Sequence, residues 1–168
     1  MKKSLSNLLK GLVLVLAIVS FCMMFCNQLK YVVTVTYAGS RETVYKFNEV
    51  LFGTDTLKAA PLGFVGYILV LAGGLLTFFS VFLSNKKQHG LVLCLVTLGF
   101  LCLVVGSVFI PLIKSTFQNA NNATFSIGTL ASGKFEMLAG PIIAGIASAV
   151  AALLNLIALL LDLKKSKK

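Results

Sequence analysis

Four stretches of this chain, residues 11–29, 62–84, 91–113 and 140–161, contain no charged side chain and are apolar almost throughout. A helix that crosses a hydrocarbon layer needs about 20 such residues, because that layer is about 30 Å thick. Each stretch meets the requirement. Pro61 and Pro141 stand at the starts of the second and fourth, where a helix has no use for the missing N–H. Pro111 lies in the last turn of the third, where it closes a helix. The chain therefore reads as an all-α integral membrane protein, a single domain over residues 1–168 built on a four-transmembrane-helix bundle.

Composition agrees. Of the 168 residues 58% are hydrophobic and only 12% charged, whereas a soluble domain carries about twice that share of charge. An ordinary soluble domain and a disordered segment are both excluded. The net charge of +10 acquires meaning only from its placement. Lys2, Lys3 and Lys10 precede the first stretch, Lys86 and Lys87 lie in the short link 85–90, and Lys164, Lys165, Lys167 and Lys168 follow the fourth. Only Asp162 opposes them. The loops 30–60 and 114–139 instead mix Lys30, Arg41, Lys46, Lys58, Lys114 and Lys134 with Glu42, Glu49, Asp55 and Glu136. Short loops rich in Lys stay in the cytoplasm. Both termini and the link 85–90 are thus expected to be cytoplasmic and the two long loops extracellular, in the plasma membrane. The basic ends anchor the topology and touch anionic lipid; no nucleic-acid partner is expected. Lys2-Lys3 ahead of an apolar stretch has the shape of a signal peptide. No small-x-small site follows it, so an uncleaved first helix is expected.

The loops carry the second pattern. Residues 31–37, Tyr-Val-Val-Thr-Val-Thr-Tyr, are β-branched or aromatic throughout, with Tyr31, Val33, Val35 and Tyr37 on one face at period two. A turn at 38–41 leads to a returning strand over 43–47 that sets Tyr45 and Phe47 on one face. Asn48 can cap a short helix that Gly53 stops. Residues 124–129, with Phe125 and Ile127, form a weaker strand candidate. Two strands alone are marginal, so a third from the second loop would complete a small extracellular β subdomain. Four helices, cytoplasmic ends and joined outer loops resemble the claudin-type tetraspan layout. The resemblance is one of topology: the tryptophan signature and cysteine pair of that family's first loop are absent, since the chain has no Trp and no Cys between Lys30 and Ala60.

Chemistry-bearing clusters are sparse. Cys22 and Cys26 sit one turn apart on the first helix, Cys94 and Cys102 on the third. Their spacing is not the C-x-x-C of thiol oxidoreductases, so packing is the expected role. His89 has no acidic neighbour in its loop, and no metal site or cofactor is expected. None of the four carboxylates of the long loops is singled out as a catalytic pair. Asn122-Ala123-Thr124 matches a glycosylation sequon.

On the fourth helix Ala144, Ser148 and Ala152 recur every four residues beside Gly145 and Ala149. Small residues let helix backbones approach in lipid, and Asn155 must reach a neighbouring helix to bond. The expected function is non-enzymatic: a subunit or accessory of a membrane complex that works by assembly. Recognition falls to Tyr31, Val33, Val35, Tyr37, Tyr45, Phe47, Phe125 and Ile127, and helix packing to Ala144, Gly145, Ser148, Ala149, Ala152 and Asn155. The partner is another membrane protein or further copies of the chain. A homo-oligomeric channel with its pore between protomers is the alternative, and a membrane thiol oxidoreductase a distant third.

Overall fold

The computed structural model describes residues 2–35, 39–83, 88–121 and 131–166. Its helices are α1 (Lys2–Cys22), α2 (Phe47–Leu51), α3 (Pro61–Phe82), α4 (His89–Phe109), α5 (Ile113–Ala120) and α6 (Ala139–Ser166), and its strands β1 (Leu29–Val35), β2 (Gly39–Tyr45) and β3 (Ala131–Met137). Among the described residues α1, α3, α4 and α6 are long and apolar enough to cross a membrane. They pack as a ring in which α1 neighbours α3 and α6, and α4 closes the other side.

Each long helix buries residues at alternating intervals of three and four. In α1 these are Ser6, Lys10, Val13, Ala17, Ser20 and Met24 at its exit. In α3 they are Gly63, Gly66, Val70, Gly73, Thr77 and Ser80, and in α4 Val92, Val96, Gly99, Leu103, Gly106 and, just past its end, Ile110. In α6 they are Ala144, Ser148, Ala151, Asn155, Ala158 and Asp162. A repeat of 3.5 residues drifts against the 3.6 of a straight helix, so helices that keep it in contact coil left-handedly at shallow angles. The apolar remainder faces outward, as a lipid solvent requires.

Glycine sets the closest approach. A Cβ on Gly73 would stand 2.7 Å from the Gly99 carbonyl oxygen, and one on Gly106 would stand 2.8 Å from that of Gly66. The α3–α4 seam is thus backbone against backbone, packing that binds helices where no hydrophobic force between them exists. Rings mark the two ends of the bundle. Phe52 packs on Phe64 with centroids 5.2 Å apart, and Phe78 on Phe82 at 5.4 Å. Along α3, Phe64 and Phe82 are separated by about 27 Å of helix rise, close to the thickness of a hydrocarbon core.

The chain leaves α1 through a 3-10 turn at Met23–Phe25 and enters β1 at Leu29, the expected last residue of the first helix. The sheet is antiparallel in the order β2-β1-β3. The second loop does supply a third strand, but from Ala131–Met137; the segment 124–129 lies outside the described residues. The third long helix also ends earlier than expected. α4 stops at Phe109, two residues before Pro111, and the chain turns into α5. Ile110 still has helical backbone and donates to the Gly106 carbonyl, but Pro111 has no N–H with which to continue the ladder. Gly53, at φ +78°, makes the turn after α2; a Cβ there would stand 2.6 Å from the Leu57 carbonyl oxygen.

Candidate functional site: the sheet and its seat on the bundle

Strand register divides the sheet into two chemically distinct faces. Tyr31 lies opposite Thr43 and Phe135, and Leu29 opposite Tyr45 and Met137, so these residues share one face. Lys30 lies opposite Val44 and Glu136, and Val32 opposite Glu42 and Lys134, on the other.

The first face is the core of the subdomain. Leu29 is fully buried and Tyr31 only 6% exposed. The Tyr31 ring lies 4.6 Å from Phe135, and Phe117 of α5 meets Phe135 edge-on at 5.7 Å. Tyr45, half-buried, reaches Phe117 at 5.8 Å. Burial drives the Tyr31 hydroxyl above the usual tyrosine pKa. Tyr45 is raised too, first by burial and then by Tyr31 and Glu49. The Tyr31 ring also covers Gly133, where any Cβ would collide with it.

The second face is a solvated charge lattice. Lys30 Nζ stands 3.3 Å from Glu136 Oε2 and 3.4 Å from Glu42 Oε1. The bond to Glu136, then that to Glu42, hold its pKa above the ordinary lysine value. Glu49 is engaged locally, accepting the Lys46 backbone N–H at 2.9 Å as a cap on α2.

One carboxamide fastens the sheet to the bundle and a second joins the two long loops. The Gln28 Nε2 donates to the carbonyls of Met24 and Cys26, both at 2.8 Å, and to that of Met23 at 3.2 Å. They lie at the exit of α1, where helix carbonyls run out of partners of their own; that of Met23 also accepts the Cys26 N–H at 3.2 Å. Gln28 Oε1 accepts the Tyr67 hydroxyl of α3 at 3.0 Å, fully buried. Asn121, just past α5, accepts the Lys58 N–H at 2.7 Å and donates to the Lys58 carbonyl at 3.0 Å. A side chain thereby pairs with backbone as a neighbouring strand would, joining the two loops.

The peptide phase fixes which backbone groups the sheet leaves unused. Leu138 N–H donates to Gln28 C=O, in step with the β1–β3 register. A trans peptide points the next N–H, that of Leu29, the opposite way, toward β2. Tyr45, Thr43 and Arg41 therefore bond β1, while Val44, Glu42 and Ser40 turn their N–H and C=O outward, along an edge that no strand covers among the described residues. All three side chains are exposed, Val44 by 47%.

The residues expected to recognise a partner fall differently. Tyr31 is internal to the subdomain, Val33, Tyr45 and Phe47 are half-buried, and Val35 lies in β1 opposite Gly39 and Ala131. Tyr37, Phe125 and Ile127 lie outside the described residues. On α6, Ala144, Ser148, Ala152 and Asn155 are buried, whereas Ala149 is exposed and Gly145 half-buried. A Cβ on Gly145 would meet only the Pro111 ring, at an ordinary 3.6 Å. Asn155 Nδ2 donates to Thr77 Oγ1 of α3 at 2.9 Å and to the Val96 carbonyl of α4 at 3.3 Å. At the opposite end of the bundle Lys10, Asp162 and Ser6 meet in a buried cluster.

Cys22, Cys26 and Cys94 are exposed free thiols and Cys102 is half-buried. Among the described residues no group of three or more His, Cys, Asp or Glu side chains converges. Compared with protein-family models, curated proteins and solved structures, the chain matches none.

Proposed function

We propose that this chain is a non-enzymatic subunit or accessory of a plasma-membrane complex, with both termini cytoplasmic and the sheet outside. It binds another membrane protein by adding a strand to the outer edge of β2. The supporting observation is that edge: outward-turned backbone groups at Ser40, Glu42 and Val44 that no strand covers among the described residues, on a sheet that Gln28 ties to α3. An exposed edge is a template for another chain, and a rigid seat lowers the ordering cost of binding. The orientation rests on the lysines of the terminal segments and the link 85–90.

A pore between copies would need polar side chains on the outer helix faces. Thr77, Ser80 and Ser148 are buried within one bundle and bonded to their own helices, which leaves only the exposed Thr97 and the half-buried Ser107, both on α4, among the Ser and Thr side chains of the α3, α4 and α6 spans. That arrangement favours assembly over conduction. Purification in mild detergent followed by mass measurement decides the matter. The proposal expects a stoichiometric foreign partner; a closed ring of identical chains supports the channel, and a lone protomer from the native membrane refutes both.

A further inference from the structure

Outside α1, α3, α4 and α6, the large apolar side chains left exposed among the described residues are Phe25, Val44, Phe52 and Leu112. The two phenylalanines are the most open of these, Phe25 at 57% and Phe52 at 60% exposure. Aromatic contacts tie both of them to the ends of α2. Phe25 meets Phe21 of α1 at 5.9 Å and Phe47, the first residue of α2, at 5.2 Å. Phe52, which ends α2, meets Phe64 in the first turn of α3 at 5.2 Å. α2 therefore bridges the sheet ends of α1 and α3, with Val50 and Leu51 buried.

We propose that this segment is a membrane anchor: Phe25 and Phe52 insert into the lipid leaflet on the sheet side of the bundle, and α2 lies along its interface. The anchor rests on the four long helices spanning a bilayer, not on the partner inferred for β2. Depth supports it. Phe52 stands level with Phe64, and Phe64 is about 27 Å of helix rise from Phe82, so Phe52 falls at the boundary of a hydrocarbon core about 30 Å thick. The backbone is suited to a layer poor in water, where every N–H needs a partner within the protein. Lys46 N–H bonds Glu49, Val50 and Phe52 donate to the Lys46 and Asn48 carbonyls, and Thr54 and Leu57 exchange bonds. Lys58 N–H bonds Asn121, and Ala60 N–H donates to the Val50 carbonyl at 2.8 Å. Charge agrees as well. Between residues 46 and 60, Lys46 and Lys58 balance Glu49 and Asp55, so insertion requires no charged headgroup. An apolar face of this kind seats about 5–10 Å deep, at the boundary of headgroups and acyl chains. The anchor brings the Tyr45 end of β2 to the bilayer surface and leaves Ser40, five residues further along the strand, about 17 Å away.

The chain has no Trp, so an introduced one is the sole reporter of its surroundings. Full-length Phe52→Trp, Phe25→Trp, Leu98→Trp and Ser40→Trp are each placed in phosphatidylcholine vesicles. Fluorescence is quenched by iodide on both sides, or by lipids brominated near the headgroup or near the chain end. Ser40→Trp, at an exposed site, should respond to iodide alone. Leu98, exposed and next to the middle of α4, should respond to the chain-end bromines. Phe52→Trp and Phe25→Trp should resist iodide and respond about twofold more to the headgroup-side bromines than to the chain-end ones. The two rings report independently, and circular dichroism checks that each variant keeps its fold. At either position, iodide quenching equal to that of Ser40→Trp puts the ring in water, and protection from iodide and bromine alike puts it beneath protein; both results overturn the proposal. Absence of bromine quenching in Leu98→Trp would instead remove the membrane reading, and the anchor with it.

Discussion

Lys10 Nζ lies 2.7 Å from Asp162 Oδ2, at one end of the bundle, with both side chains at or below 10% exposure. The Ser6 hydroxyl donates to the other carboxylate oxygen at 2.9 Å. α1 and α6 are thus joined by charge as well as by packing. A second bond near the sheet end, from Ser20 Oγ to the Ala144 carbonyl at 2.9 Å, holds the same pair of helices in register. Charges turned into a bundle of apolar helices persist only when paired.

The pair should behave non-additively. Lys10→Met or Asp162→Asn alone strands a buried charge and is expected to cost about 3 kcal/mol. Replacing both residues by Leu should cost far less than the sum of the singles. Unfolding of the four variants in detergent gives the coupling directly; additive losses would show that the two groups do not interact.

The glycine seam makes a sharper packing test than the small residues of α6. Gly73→Ala or Gly99→Ala forces α3 and α4 apart and should destabilise by about 1–3 kcal/mol. A Cβ on Gly11 or Gly90 meets nothing within 4 Å, so Ala at those positions should be neutral or slightly stabilising. Equal effects at all four sites would mean that the seam does not hold the helices together.

The sheet should loosen in alkali. Lys30, Tyr31 and Tyr45 all have folded pKa values above their ordinary ones. A raised pKa contributes stability that is complete below the unfolded value, about 10 for each type, and is lost as pH rises through the folded value. Tyrosinate absorbance followed with pH should show Tyr31 and Tyr45 ionising above pH 10, together with loss of sheet signal. Replacing Lys30 by Met should remove part of that dependence and leave the tyrosine part.

The four long helices and the existence of the first hairpin were legible because each announces itself locally, by an uncharged run or by β-branched alternation; the returning strand, expected over 43–47 after a turn at 38–41, is instead Gly39–Tyr45, and Phe47 opens α2. β3 was not legible. Ala131-Ser132-Gly133-Lys134-Phe135-Glu136-Met137 contains no β-branched residue; the strand exists because β1 offers it a register and Tyr31 covers its glycine. α5 was hidden for a similar reason, a short segment whose apolar anchors Ile113 and Phe117 matter only once the sheet is above them. On α6 a period of four residues reached Ala152, which is buried, but stopped short of the heptad that continues the buried stripe through Ala151, Asn155, Ala158 and Asp162. The same heptad in α1 reaches Lys10. Reading both helices at period seven would have put Lys10 and Asp162 on inward faces. Gln28 and Asn121 carry no local mark, since their partners Tyr67 and Lys58 are set by the assembled fold.

The proposed docking edge yields a paired proline test. Val44 turns its N–H outward, while Thr43 turns its own toward β1. Proline is tolerated on an edge strand when the lost donor faces away from the ladder, and it requires extended backbone of the preceding residue, which Thr43 already has as part of β2. Val44→Pro should therefore keep the sheet and abolish strand addition, so the partner no longer co-purifies at unit stoichiometry. Thr43→Pro should instead break the β1–β2 ladder, which lowered sheet content and loss of the Tyr31 and Tyr45 pKa shifts would report. If Val44→Pro retains the partner at the wild-type ratio with the sheet intact, the β2 edge is not the docking site.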